Sequence, residues 1–254
     1  MMPPQLKIAA LVSVGRNPAS GAPRAARNDV LALDAALGLA REVSVLHAGD
    51  AAPALHDYLA YGAASVEVLP LPPGADALAP LAGRVAGYDL ILCGQRAEAG
   101  PGSGMLAYRL AKALNMPVVS AALEISLLGD EAEIVQFLPK GQRRVVRVSL
   151  PAVIALHPLA PRNPRYVYAS RRAGRLLSAP AQVGAPLPAS PWQSEPAVKK
   201  PQKLKPPETR QGHARLLGAI ATESKGGALV REGSAAEKAR AILDYLRANR
   251  LIGF

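Results

Sequence analysis

The chain has 254 residues, half of them hydrophobic but only 4% aromatic, with one cysteine and a formal net charge of +11. This is enough for one large α/β domain or two small ones with a core of Ala, Val, Leu and Ile. A lone Cys93 excludes an intrachain disulfide or a cysteine metal cluster, and no apolar run approaches the roughly 18–20 residues that span a bilayer.

Met1 to Lys7, which includes Pro3, Pro4 and Gln5, shows no basic stretch with a small-residue cleavage site. No secretory signal is therefore expected, and a reducing cytoplasm is the expected setting. Residues 7–14 read as a buried strand ended by Gly15, and the Gly-, Pro-, Asn- and Arg-rich residues 15–28 as a loop. Asp29 is a candidate cap for a helix carrying Val30, Leu33, Leu37 and Ala40 near helical spacing. Val43 to Leu46 is a second strand, followed by His47-Ala48-Gly49-Asp50. Pro53 to Tyr61 is a helix stopped by Gly62, and Ser65 to Leu69 a third strand. A helix is expected within Ala75 to Ala86, a strand over Asp89 to Cys93, and a helix over Met105 to Leu114, closed by Asn115 and Pro117.

This alternation predicts a mostly parallel sheet with helices on both faces, a three-layer α/β fold. Beyond Val118 to Ser120, Leu123 to Leu128 and Glu131 to Leu138 read as a hairpin across Gly129-Asp130. Val145 to Leu150 and Ala152 to Leu156 continue the β character, in the half where antiparallel strands are expected. The prolines between residues 179 and 212 predict an extended arm or linker after an α/β domain over 1–178. In the C-terminal segment, 213–254, Ser234-Ala235-Ala236-Glu237 is a capping box. It opens a helix whose stripe of Ala239, Ile242, Leu243 and Leu246 needs a surface to dock on.

The segment richest in chemistry is the strand–loop–helix from Asp89 to Leu114. Its loop holds Gly100, Gly102, Ser103 and Gly104 ahead of Met105. Glycines let backbone N–H groups approach phosphate oxygens, and a helix N-terminus adds unpaired donors and partial positive charge. The alternative is a surface loop that needs glycine only for tight turning. Gly102 to Ala107 also fits G-x-G-x-x-G/A, with Glu124 about 20 residues on. That supports a second reading, a stand-alone Rossmann-type NAD-dependent oxidoreductase, although the pattern lies away from the first βαβ unit. There is no P-loop Gly-Lys-Ser/Thr. His47, His56, His157 and His213 are scattered, and no catalytic triad, paired carboxylates or metal-ligand spacing stands out. A nucleotide site without catalytic groups points to a binding or carrier protein.

Basic residues cluster at Arg143, Arg144 and Arg147, at Arg162, Arg165, Arg171, Arg172 and Arg175, and at Lys199, Lys200, Lys203 and Lys205. Without a recognition-helix or RNA-binding aromatic motif they read as a solvated surface or a partner contact; nucleic-acid binding ranks last.

Leu59-Ala60-Tyr61-Gly62-Ala63, the Asp89 to Gly94 strand with its loop and helix, Leu150-Pro151-Ala152-Val153, Asn163-Pro164-Arg165-Tyr166 and Gly226-Gly227 occur in the order found in electron-transfer flavoprotein β subunits. The chain resembles that family over residues 7–170 and the C-terminal helix. The resemblance implies an adenine-nucleotide-binding α/β domain whose long C-terminal arm embraces an α subunit. It implies FAD held mostly by that α subunit, and an AMP in the β subunit, with a second FAD there in electron-bifurcating relatives. It implies a flavin-dependent dehydrogenase as electron donor and a quinone oxidoreductase as acceptor, without nucleic acid or direct membrane insertion. By position, Leu11, Ala48 and Gly49 would line the adenine pocket, and Gly100, Gly102, Ser103, Gly104 and Met105 would surround the phosphate. The chain departs from the family where Ala26-Arg27-Asn28 replaces Asn-Pro-Phe ahead of the first helix, where the loop from Glu98 to Met105 lacks the family's aspartates and its Gln or Asn-Gln element, and where Val167-Tyr168-Ala169-Ser170 replaces a Leu-Pro. The last departure resembles a divergent subgroup associated with demethylation of methylated glycines, and implies a partner other than an acyl-CoA dehydrogenase.

Overall fold

Strand residues of alternating orientation feed two separate cores, and this alternation makes three layers. Ile8, Ala10, Leu90, Leu92, Ile154 and Leu156 pack on one face of the sheet, and Ala9, Leu11, Ile91, Cys93, Val153 and Ala155 on the other. The computed structural model describes residues 6–72, 74–98, 102–180, 230–248 and 252. The elements in chain order are β1 (Ile8–Leu11), β2 (Val14–Arg16), β3 (Pro23–Ala25), α1 (Arg27–Leu39), β4 (Val43–Ala48), α2 (His56–Ala60), β5 (Ser65–Leu69), α3 (Leu78–Val85) and β6 (Leu90–Gly94). They continue with α4 (Leu106–Leu114), β7 (Val118–Leu128), β8 (Glu131–Phe137), β9 (Arg143–Ser149), β10 (Ala152–Leu156), α5 (Tyr168–Ala173), β11 (Arg175–Ser178) and α6 (Ala235–Ala248).

The main sheet has nine strands in the order β11-β5-β4-β1-β6-β10-β7-β8-β9. From β11 to β7 every pairing is parallel; β7, β8 and β9 pair antiparallel. Helices α1 and α2 cover one face, and α3 and α4 the other. Alanine is abundant where helix meets sheet, at Ala32, Ala35, Ala36, Ala107 and Ala111, so the aromatic-poor core closes by near approach of backbones. Several helix ends follow the sequence signals. The α2 helix ends ahead of Gly62 (φ 107°), and α4 ends on Asn115 in the left-handed region (φ 54°, ψ 43°).

Four local readings change. The 15–28 loop contains a two-stranded antiparallel ribbon, β2–β3, inserted between β1 and α1. Asp29 is not the cap of α1: Ala26 holds that position, and Asp29 lies in the first turn, on the buried face shared with Leu33 and Ala36. β10 does not add to the antiparallel edge; it slots between β6 and β7, parallel to both. Its five residues are all buried, as a strand covered on both faces must be. α5 and β11, read from sequence only as a basic stretch, carry the chain to the opposite edge beside β5.

Contacts divide the chain into two units, and α6 belongs to the second. Its capping box forms as read: the Ser234 N–H donates to Glu237 Oε2 at 2.7 Å, and the Glu237 N–H to Ser234 Oγ at 3.3 Å. None of its described residues is buried. The proline-rich stretch expected over 179–212 falls, beyond residue 180, outside the described residues. No helix among the described residues is long and apolar enough to cross a membrane.

Candidate functional site

From β1 the chain first builds outward through β4 and β5, then crosses to the other side of β1 to lay down β6. The reversal leaves a crevice at the C-terminal ends of β1 and β6, where open parallel sheets take their ligands. A cavity of about 340 Å³ lies there. Its apolar wall includes Leu11, Leu46, Ala48, Leu81 and Cys93, and its polar wall Ser13, Asp29, Asp76, Arg96, Ser103 and Arg109.

The glycine loop forms the rim. Gly102 (φ 52°) and Gly104 (φ 73°) both occupy the left-handed region. A Cβ on Gly104 would stand 3.1 Å from the Gln95 carbonyl oxygen, and one on Gly102 3.3 Å from that of Ala97. The loop therefore folds flat against residues 95–97 and leads into α4. The Met105 N–H donates to Ser103 Oγ at 3.3 Å, and no side chain caps α4 from its N-cap position. Leu106 and Ala107, in the first turn, line the cavity. The first turn of α1 is already furnished with acid: Glu98 Oε1 accepts the Arg27 N–H at 2.8 Å, and Asp29 lies two residues on. Of the three helix starts at this crevice, that of α3 is likewise supplied with acid, Asp76 Oδ1 accepting the Leu78 N–H at 3.1 Å, and α4 is the one left for an external anion.

Leu11, Ala48, Gly102, Ser103, Gly104 and Met105, singled out from sequence, all border this one cavity. Gly49 does not: its N–H donates to the Leu69 carbonyl at 3.0 Å and its α-carbon backs onto His47. Gly100 lies outside the described residues. Glu124, the acidic partner required by the dinucleotide pattern, is exposed on β7 and lines no part of the cavity. His47 donates from Nδ1 to the Val12 carbonyl at 3.0 Å, and burial holds its pKa below the usual imidazole value. Cys93 is a buried thiol pushed up to about 12, by burial first and by the nearby Asp29 second.

Sequence reading missed Gln95, Arg96, Asp76 and Arg109 in the wall, and above all Asp29. Asp29 is 4% exposed and accepts the Ser13 N–H (2.8 Å), the Ser13 hydroxyl (2.5 Å) and the Gly94 N–H (3.2 Å). A Cβ on Gly94 would stand 2.4 Å from Asp29 Oδ1, so glycine is what lets the carboxyl reach the end of β6. Behind it the Tyr58 hydroxyl donates to the Ser13 carbonyl (2.6 Å) and accepts the Ala26 N–H (2.9 Å). The available signal was spacing: Asp29, Leu33 and Ala36 share one helix face, which puts an acid on the buried side. Arg109 pairs with Asp76, whose carboxyl is held below the usual range by that guanidinium. Among the described residues no group of His, Cys, Asp or Glu is arranged to hold a metal ion.

Residues 24–174 match the family described as "Electron transfer flavoprotein domain". The protein described as "Electron transfer flavoprotein subunit beta" from Chromohalobacter salexigens is 35% identical over 255 residues, covering 97% of this chain and 96% of that protein. The cavity wall from Asp29 to Arg109 lies wholly inside the family match.

Proposed function

The chain belongs to the electron transfer flavoprotein family and has the character of its β subunit, an electron-carrier subunit, and from that premise we propose that the β1–β4–β6 cavity holds an adenine mononucleotide, AMP. The observation that carries the reading is the uncapped start of α4 beside a glycine cradle, with an apolar wall opposite. The phosphate rests on the first turn of α4 with Gly102, Ser103 and Gly104, and the adenine against Leu11, Leu46 and Ala48. A volume of about 340 Å³ sits at the low end of the ~300–1,000 Å³ typical of ligand sites and favours a mononucleotide over a second FAD. AMP does no redox chemistry; it fills and stiffens the crevice.

The electron-storing FAD is held mostly by the α subunit with which this chain forms a heterodimer, and this chain covers one side of it and tunes its surroundings. The chain supplies no catalytic residue of its own. A flavin-dependent dehydrogenase serves as donor and a quinone oxidoreductase as acceptor. The Val167 to Ser170 segment, in place of a Leu-Pro, supports a donor from the demethylation of methylated glycines rather than an acyl-CoA dehydrogenase. The domain line at residue 178, the partner-embracing arm beyond it and a cytoplasmic setting belong to the same proposal. Co-expression with the α subunit is expected to give a yellow heterodimer from which extraction and chromatography release one FAD and one AMP. Two FAD per heterodimer would overturn the AMP assignment, and a colourless monomer would overturn the carrier reading.

A further inference from the structure

Ser13 and Asp29 both line the cavity, and the phosphate cradle just described uses neither. The described partners of Asp29 are uncharged: the Ser13 N–H and hydroxyl on one oxygen and the Gly94 N–H on the other. Buried without a cation, the carboxyl is pushed from 3.8 to about 7 by desolvation, which outweighs those donors. The titratable groups facing it are Tyr58, Cys93 and Glu98. Burial raises the first two, which keep their protons through neutrality, and Glu98 is paired with Arg24 at 2.9 Å.

A serine hydroxyl has one proton to give. While Asp29 is a carboxylate, that proton is committed to Oδ2, and Ser13 offers the cavity lone pairs alone. Once Asp29 takes up a proton, its own O–H points along the 2.5 Å line to Ser13 Oγ, and the serine proton is released to turn toward the ligand. The carboxyl loses its negative charge in the same event. We propose that Ser13 and Asp29 form a proton-linked binding pair, in which Asp29 takes a proton from solvent as a phosphate-bearing anion enters and Ser13 becomes a donor to that anion. The proton returns to solvent when the ligand leaves. This rests on the reading of the cavity as a nucleotide site.

The test is calorimetric titration of AMP into the nucleotide-stripped heterodimer, in two buffers of different ionisation enthalpy. The range runs from about pH 7 to about pH 8.5, above the second phosphate pKa of ~6. The wild type is expected to take up a fraction of a proton per AMP, and its Kd to rise roughly fourfold across that range, as a further upward shift of about one unit in Asp29 requires. Asp29→Asn is expected to bind with no uptake. Ser13→Ala, which keeps the carboxyl and the backbone N–H, is expected to bind more weakly at about pH 7 with a flatter pH dependence. AMP binding by the wild type without proton exchange overturns the pair and leaves the nucleotide site standing. Undiminished affinity in Ser13→Ala overturns the role of the serine. Absence of AMP binding to the wild type overturns both readings.

Discussion

At the residue scale, Ser13 and Asp29 in the cavity wall are backed by Tyr58, and the three leave one another little freedom. Tyr58 is fully buried and its hydroxyl satisfies both the Ser13 carbonyl and the Ala26 N–H, so it ties the end of β1 to the start of α1. Tyr58→Phe keeps the ring packing and strands two backbone groups in the interior, each unpaired group costing about 1–3 kcal/mol. A loss of roughly 2–4 kcal/mol is expected by urea denaturation, and a loss below about 0.5 kcal/mol would show that water replaces the hydroxyl. Asp29 gives stability a pH slope. Its folded pKa of about 7 lies above the 3.8 of the free side chain, so between these values the native state holds more proton than the unfolded one. Its contribution is complete below about pH 4 and is lost as pH rises toward 7, at a rate approaching 1.4 kcal/mol per unit. Asp29→Asn is expected to flatten this part of the stability profile; an unchanged profile would mean the carboxyl ionises freely where it sits.

At the element scale, what could be read in the sequence was what local pattern determines. β1, β4, β5 and β6 are short apolar runs closed by polar or glycine-rich turns. The ends of α2 and α4 are written in Gly62 and Asn115, and the start of α6 in its capping box. What escaped depends on partners far along the chain. β10 is a continuous apolar run suited to a strand covered on both faces, but its place between β6 and β7 is set by pairings with segments well before it in the chain. The β2–β3 ribbon is held by a residue some seventy positions away: Glu98 pairs with Arg24 and lies where a Cβ on Gly15 would be. The glycine loop was legible because its requirement is conformational, while the Asp29–Gly94 contact was not, because nothing local announces it. The loop gives a two-step test. Gly104→Ala brings a Cβ within 3.1 Å of the Gln95 carbonyl at a positive φ and loosens the cradle by strain alone. Gly104→Glu adds a carboxylate at a helix N-terminus proposed to hold an anion. AMP content of the purified heterodimer is expected to fall in the order wild type, Gly104→Ala, Gly104→Glu. Equal content in all three would remove this loop from the site.

At the scale of the whole molecule, part of the positive charge is paired with carboxylates within the first unit. Arg24, Arg84, Arg109, Arg147, Arg162 and Arg171 each pair with a carboxylate. Arg144 donates to Gln136 at 2.9 Å, and Arg143 lies over the Phe137 ring at 5.0 Å. Arg165, Arg172 and Arg175 remain exposed around α5, next to Tyr166 and Tyr168, which are also exposed. Arginine and tyrosine together are the residues that anchor protein interfaces, and a surface of one sign attracts an oppositely charged partner before contact. The same segment carries the departure on which the proposed donor rests, so the proposed donor contact and these exposed cations fall on one patch. Reduction of the heterodimer by an acidic donor dehydrogenase is therefore expected to slow on the order of tenfold between about 20 and about 200 mM salt. The double reversal Arg165→Glu with Arg172→Glu is expected to slow it at low salt and to remove most of the salt dependence. Both side chains are exposed, so the variant is expected to unfold at the wild-type urea concentration. A salt-independent rate in the wild type, or a reversal variant reduced at the wild-type rate, would move the donor's contact to another face.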